Sequence, residues 1–190
     1  IGLGERHLRH AAGVAQVDTN LDGYVDRIIA ADTGGNIWRI NVDYTDATTN
    51  PTNSTSSWTI DKLASLGATS GANARKFLGD PDVVVASTSG IPVPYDTILI
   101  GSGDRERPFD TTITNRFYMI KDQHLRTHRY TTALTESNLY DTTSNVIQQG
   151  TTAQKTAAQV AMNDATGWYI TLGSGEKVDG PSTTLSGATF

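Results

Sequence analysis

The sequence contains no cysteine, which excludes a disulfide framework, thiolate metal sites and a cysteine nucleophile, and leaves the redox compartment open. It has no apolar run of about 18 residues, the length a membrane-crossing helix needs. Charged residues make up only 18% of the chain and the net charge is −5, an acidic balance that argues against broad nucleic-acid binding. No Gly-x-Ser-x-Gly elbow is present, and no Ser/His/Asp set can be defended from the sequence. The Arg-Gly-Asp tripeptide is absent as well. An initiator Met and a signal peptide are both missing from the opening "IGLGERHLRH", and the closing "TTLSGATF" stops within an expected strand. These ends are expected of a piece of a longer chain.

What remains is a turn-rich, polar composition. The 190 residues include 18 Gly, with many Thr, Ser and Asn, and 37% are hydrophobic. That mix points to an all-β fold with many turns, or to a secreted protein, and the length suffices for one good-sized core or two small ones. Short alternating or apolar runs mark the strands: "AGVAQV" (12–17), "RIIAAD" (27–32), "NIWRINV" (36–42), "PDVVVAST" (81–88), "TILIGSGD" (97–104), "NRFYMIKD" (115–122) and "GWYITLGSGE" (167–176). "TGG" (33–35) is a tight turn whose glycines supply positive φ. Residues 43–75 are polar and are expected to form a long loop. Residues 123–166 read as a partly helical insertion: "LTESNLYDTT" holds about one helical turn, and residues 151–166 form the convincing helix, capped by Thr151 or Thr152. "ILIGSGDR" and "YITLGSGEK" echo one another, as do "IIAADTGG" and "VVVASTSG". Recurring hairpins with glycine turns suggest blades of a β-propeller, with a β-sandwich as the alternative.

The most chemically pointed stretch is "DTNLDGYVDRIIAAD", beginning at Asp18. Asp18, Asn20 and Asp22 stand at the first, third and fifth positions of a calcium loop, and Gly23 at the sixth allows the sharp turn. The backbone carbonyl of Tyr24 can turn inward, and Asp26 completes the shell. An EF-hand needs a glutamate three residues further on, where Ile29 stands inside an apolar run. Asp26 must therefore close the site early, in a loop that feeds a strand rather than a helix. Carboxylates this crowded repel one another without a cation, which is the physical reason to expect Ca2+.

Other constellations carry less. His7 and His10, and His124 and His128, have zinc-compatible spacings but no nearby carboxylate at ligand spacing and no secure helix, and read as surface histidines. "GSGDRERP" lacks the Gly-Lys-Ser/Thr ending of a phosphate loop, so Asp104, Arg105, Glu106 and Arg107 read as a solvated or blade-joining ion-pair network. "NST" at 53–55 spells a glycosylation sequon and is read as a loop. The Asp32–turn–Trp38 spacing also occurs in quinoprotein propellers, where the tryptophan docks on a neighbouring blade; a core tryptophan is the simpler reading.

Four blocks in order, "DTNLDGYVDRIIAADTGGNIWRINV", "PYDTILIGSGDRERPFDTTITNRFYMIKD", "TESNLYDTTSNVIQ" and "GWYITLGSGEKVDGPSTTLSGATF", resemble the C-terminal β-propeller domain of PilY-type type IV pilus proteins. The resemblance covers most of residues 12–190 and implies part of a modified propeller with antiparallel blades, the remainder being supplied elsewhere. It implies no enzyme but a calcium-binding adhesin and pilus assembly factor, exported through the periplasm and outer membrane to the pilus tip. Its partners there would be minor pilins and a surface or host target. By position, the implied calcium ligands are Asp18, Asn20, Asp22, Asp26 and the Tyr24 carbonyl. The propeller also leaves open a quinoprotein-like enzyme, or a scaffold in which calcium is only a staple.

Overall fold

The computed structural model describes residues 11–18, 23–42, 58–85, 95–124, 130–185 and 187–190. The first four strands, β1 (Ala11–Val17), β2 (Arg27–Asp32), β3 (Asn36–Asn41) and β4 (Thr59–Ser65), form an antiparallel meander in chain order. Sheet two takes β5 (Asp82–Val85), β6 (Asp96–Gly101), β7 (Arg116–Asp122), β8 (Tyr140–Asp141) and β9 (Gly167–Thr171) in the order β5-β6-β7-β9-β8. All pairings are antiparallel except β8 on β9. A small hairpin, β10 (Thr184–Leu185) and β11 (Ala188–Thr189), ends the chain. The all-β class is met, and the described residues form two packed sheets without closing a ring.

Register explains which residues meet. On sheet one, the rows Ala15–Ile29–Arg39–Asp61 and Val17–Arg27–Asn41–Thr59 share a face, because directly paired residues point the same way. That face packs on the Ile98, Ile100, Tyr118 and Ile120 face of sheet two, and Leu63, Phe77 and Ile37 fill the space between. Within this core Phe77 meets the Tyr118 ring edge-on at a centroid distance of 5.9 Å. The opposite face of sheet one carries Gln16–Ile28–Ile40–Ile60 and Val14–Ala30–Trp38–Lys62. Several of these side chains are bare: Val14 is 48% exposed and Ile60 61%. Trp38, expected in the core, lies half-buried on this outer face, with its indole N–H donating to Asp32 Oδ2 at 2.9 Å and Lys62 Nζ over its ring.

Further expectations change, beginning with the strands expected over 97–104 and 167–176, which end at Gly101 and Thr171. The polar segment 43–75 is not one loop, because residues 59–65 form β4; residues 43–57 lie outside the described part. The "TGG" turn needs positive φ only at Gly35 (+73°), whose Cα packs so closely on Gly67 that an added Cβ would lie 2.5 Å from Gly67 Cα.

The β7–β9 connection is the partly helical insertion. It holds a 3-10 turn (Glu136–Asn138), a short helix α1 (Val146–Gln149) and helix α2 (Thr152–Asp164). Thr151 caps α2: its hydroxyl accepts from the Gln154 amide while Gln154 Oε1 accepts from the Thr151 amide. At the other end the buried Lys121 ammonium donates to the carbonyls of Met162, Asn163 and Ala165, at 2.8 to 3.1 Å. A cation there complements the negative end of the helix dipole. The insertion also reaches sheet one, where Leu134 bridges β4 through hydrogen bonds with Leu63 and Ser65.

Candidate functional site

The Asp-rich loop is the connection between β1 and β2. The last paired residues are Val17 and Arg27, so Asp18 and Asp26 are the next residues outward and flank the loop's mouth. Asp26 is held on both sides, its N–H donating to the Val17 carbonyl and its carbonyl accepting from the Val42 N–H, each at 2.9 Å. Gly23 has φ +91°, and its N–H donates to Asp18 Oδ2 at 2.9 Å, so the chain curls back over its first acid. Tyr24 is 64% exposed beside this turn. Asn20 and Asp22 lie outside the described residues. Among the described residues no group of three His, Asp or Glu is placed to hold a metal ion. Of the expected calcium set, Asp18, Tyr24 and Asp26 are described, and carboxylate and carbonyl oxygens are the donor type that Ca2+ takes.

Immediately past the loop lies a buried ion cluster that composition and motif reading did not anticipate. Arg27 Nη2 stands 2.5 Å from Asp96 Oδ2 and Nη1 stands 3.2 Å from Asp122 Oδ2. Arg39 donates to the same Asp122 at 2.7 Å, and the Tyr130 hydroxyl donates to Asp122 Oδ1 at 2.7 Å. All four charged residues are at most 2% exposed. Arg27 and Arg39 come from sheet one, Asp96 and Asp122 from sheet two, so two cations meet two carboxylates across the packing plane. Burial pushes the Asp96 carboxyl up, against the pull of the Arg27 guanidinium. Burial and the neighbouring Asp122 both raise the Tyr130 hydroxyl, keeping it a donor. The signal that could have found the cluster is register. Asp96 pairs directly with Asp122 across β6 and β7, and like charges placed opposite need facing cations.

A second network pins the insertion. Glu136 accepts from the buried Arg75, from Arg116 and, at 2.6 Å, from the Tyr118 hydroxyl. Arg75 also donates to the carbonyls of Thr114 and Leu66, and Arg116 stacks over the Tyr169 ring. Asp32 organises the β2–β3 turn by accepting from the Gly34 amide, from the Asn36 amide and side chain, and from Trp38. Burial would raise its carboxyl, but these hydrogen bonds outweigh it and hold Asp32 below the ordinary aspartate value.

The remaining candidates are placed as follows. Asp104 pairs with Lys76 at 2.7 Å and Glu106 reaches the same ammonium at 4.0 Å, while Arg105 and Arg107 are exposed. His124 packs on the Tyr130 ring at 4.5 Å; His7, His10 and His128 lie outside the described residues.

No protein-family model and no curated protein sequence matches the chain. Its fold is similar to the crystal structure of the Pseudomonas aeruginosa PilY1 C-terminal domain, with a TM-score of 0.64 at 17% identity over 92% of this chain. At that identity the likeness is one of fold, and the PilY-type resemblance of the sequence blocks is met at that level. The chain spans 42% of the length of that structure.

Proposed function

We propose that this chain is part of a calcium-binding β-propeller in a PilY-type, type IV pilus-associated surface protein. In this reading it acts as a binding and assembly module rather than an enzyme. The observation that carries it is the loop mouth: Asp18 and Asp26 flank a hairpin opening whose glycine amide already closes on Asp18, within a fold similar to PilY1. Asp18, Asn20, Asp22, the Tyr24 carbonyl and Asp26 would hold the ion. The ion offsets the repulsion among the three acids and selects the ordered loop. It would stabilise the fold by about 2.7 kcal/mol at a hundred times its Kd. The propeller reading is supported by the outer face of sheet one. There Ile28, Ile40, Ile60 and Val14 form an apolar surface suited to a further sheet.

At the pilus tip, a calcium-ordered module would present a fixed surface to minor pilins and to an adhesion target, and calcium would set the balance of extension and retraction. The direct test is calorimetric titration of the chelator-treated chain with calcium. Binding with a Kd somewhere between roughly 10⁻⁷ and 10⁻³ M is expected, and Asp22→Ala should abolish it. Absence of heat in the unaltered chain would end the calcium reading. Calcium-dependent capture of purified minor pilins would separate a regulatory module from a scaffold that calcium merely staples.

A further inference from the structure

We infer that Arg27 is a positioning residue for the cation loop, tying the place of Asp26 to the packing of the second sheet. The inference rests on the calcium reading above and adds to it a route by which the loop and the sheet interface influence one another. Asp26 and Arg27 are consecutive: Arg27 opens β2 and is its last residue paired with β1, and Asp26 is the next residue outward. One thus stands at the loop mouth while the other reaches into the core. The Arg27 side chain is 3% exposed and reaches Asp96 and Asp122 on two neighbouring strands of the second sheet. Its fork is further constrained because Asp122 is shared with Arg39 and Tyr130. The backbone of Asp26 is pinned by Val17 and Val42. Position 26 therefore has little freedom to slide or tilt while the cluster is intact. A ligand held in place before the ion arrives costs less ordering on binding, so the intact cluster favours calcium. By reciprocity, bound calcium must favour the intact cluster by the same factor.

The test uses the full chain and changes none of the proposed ligands. Asp96→Asn removes one charge at the far end of the Arg27 fork. Calorimetric titration should show calcium binding weakened about tenfold, the lower end of what supporting residues contribute to metal sites. Arg27→Lys, which keeps the charge and loses the fork, should fall between the two. In the unaltered chain, hydrogen exchange at residues 96–101 and 116–122 should slow when calcium is added, and this response should shrink in Asp96→Asn. A folded Asp96→Asn chain that melts earlier but binds calcium within twofold of the original overturns the inference and leaves the calcium site standing. Calcium protection confined to the loop overturns it too, and that measurement decides the matter if Asp96→Asn fails to fold. No calcium binding by the unaltered chain removes the site itself, and the inference with it.

Discussion

Replacing Asp122 by Asn keeps the shape of the side chain and removes one charge from the buried cluster of Arg27, Arg39, Asp96 and Asp122. Asp122 accepts from Arg27, twice from Arg39, and from the Tyr130 hydroxyl. Without its charge, Arg39 retains no carboxylate partner among its hydrogen bonds to described residues, and its Nη2 already has no partner among them. Removing one member of a buried ion pair costs about 3–5 kcal/mol, because the partner stays desolvated. In a chain of this size each kcal/mol moves Tm by roughly 2–4 °C, so the expected fall is about 6–20 °C. Thermal unfolding followed by circular dichroism and by tryptophan fluorescence measures it. The double variant Arg39→Met with Asp122→Asn leaves Arg27 against Asp96, which balances the charge again, and should recover more than half of the loss. A single variant costing under about 1 kcal/mol, the range of exposed pairs, would refute the reasoning. So would a double variant no more stable than Asp122→Asn.

Asp32 gives a pH signature. Its folded value is depressed, so its contribution is present above the unfolded value of 3.8 and is lost as pH falls through the lower folded value. Asp32→Asn should cost about 1–3 kcal/mol at neutral pH, in the range of hydrogen bonds to a charged group, and the gap should close in acid; a gap independent of pH counts against it. Lys121→Met removes the donor shared by three carbonyls at the end of α2. Amides of residues 152–164 should then exchange about tenfold faster through local opening, and unchanged exchange there would show that the lysine does not hold the helix.

Strands built on Ile, Val and Leu were legible as short apolar or alternating runs: "RIIAAD" and "NIWRIN" lie within the expected strands, and "TILIG" opens the one expected over 97–104, which ends at Gly101. β4 was hidden because "TIDKLAS" carries Asp61 and Lys62 within a polar neighbourhood. Asp61 nonetheless faces the core, where it accepts from the Tyr130 amide, and Ile60 faces outward. Hydrophobicity thus runs partly against burial in this strand, and no periodicity argument recovers it. The proposed ligand positions of the Asp-rich loop come from spacing alone, because the pattern is local in sequence. The ion cluster was not, because Arg27 and Asp122 are separated by 95 positions and meet only when two sheets pack. The position of Trp38 failed for a related reason: an aromatic in a strand can face either way, and the polar Asp32 drew this one outward.

The direct pairing of Asp96 with Asp122 has a consequence for the order in which the chain assembles. When β6 and β7 first come together as a hairpin, two carboxylates stand opposite each other, and the guanidinium groups that meet them in the finished structure belong to the other sheet. Near neutral pH that hairpin is penalised until sheet one arrives with Arg27 and Arg39, so the second sheet should not complete itself ahead of the first. Substituting Asn at both positions would relieve the repulsion, allowing the hairpin to form early while depriving the finished interface of its anions. Folding would quicken in its opening step and unfolding would accelerate far more, a split readable from the two arms of a chevron plot.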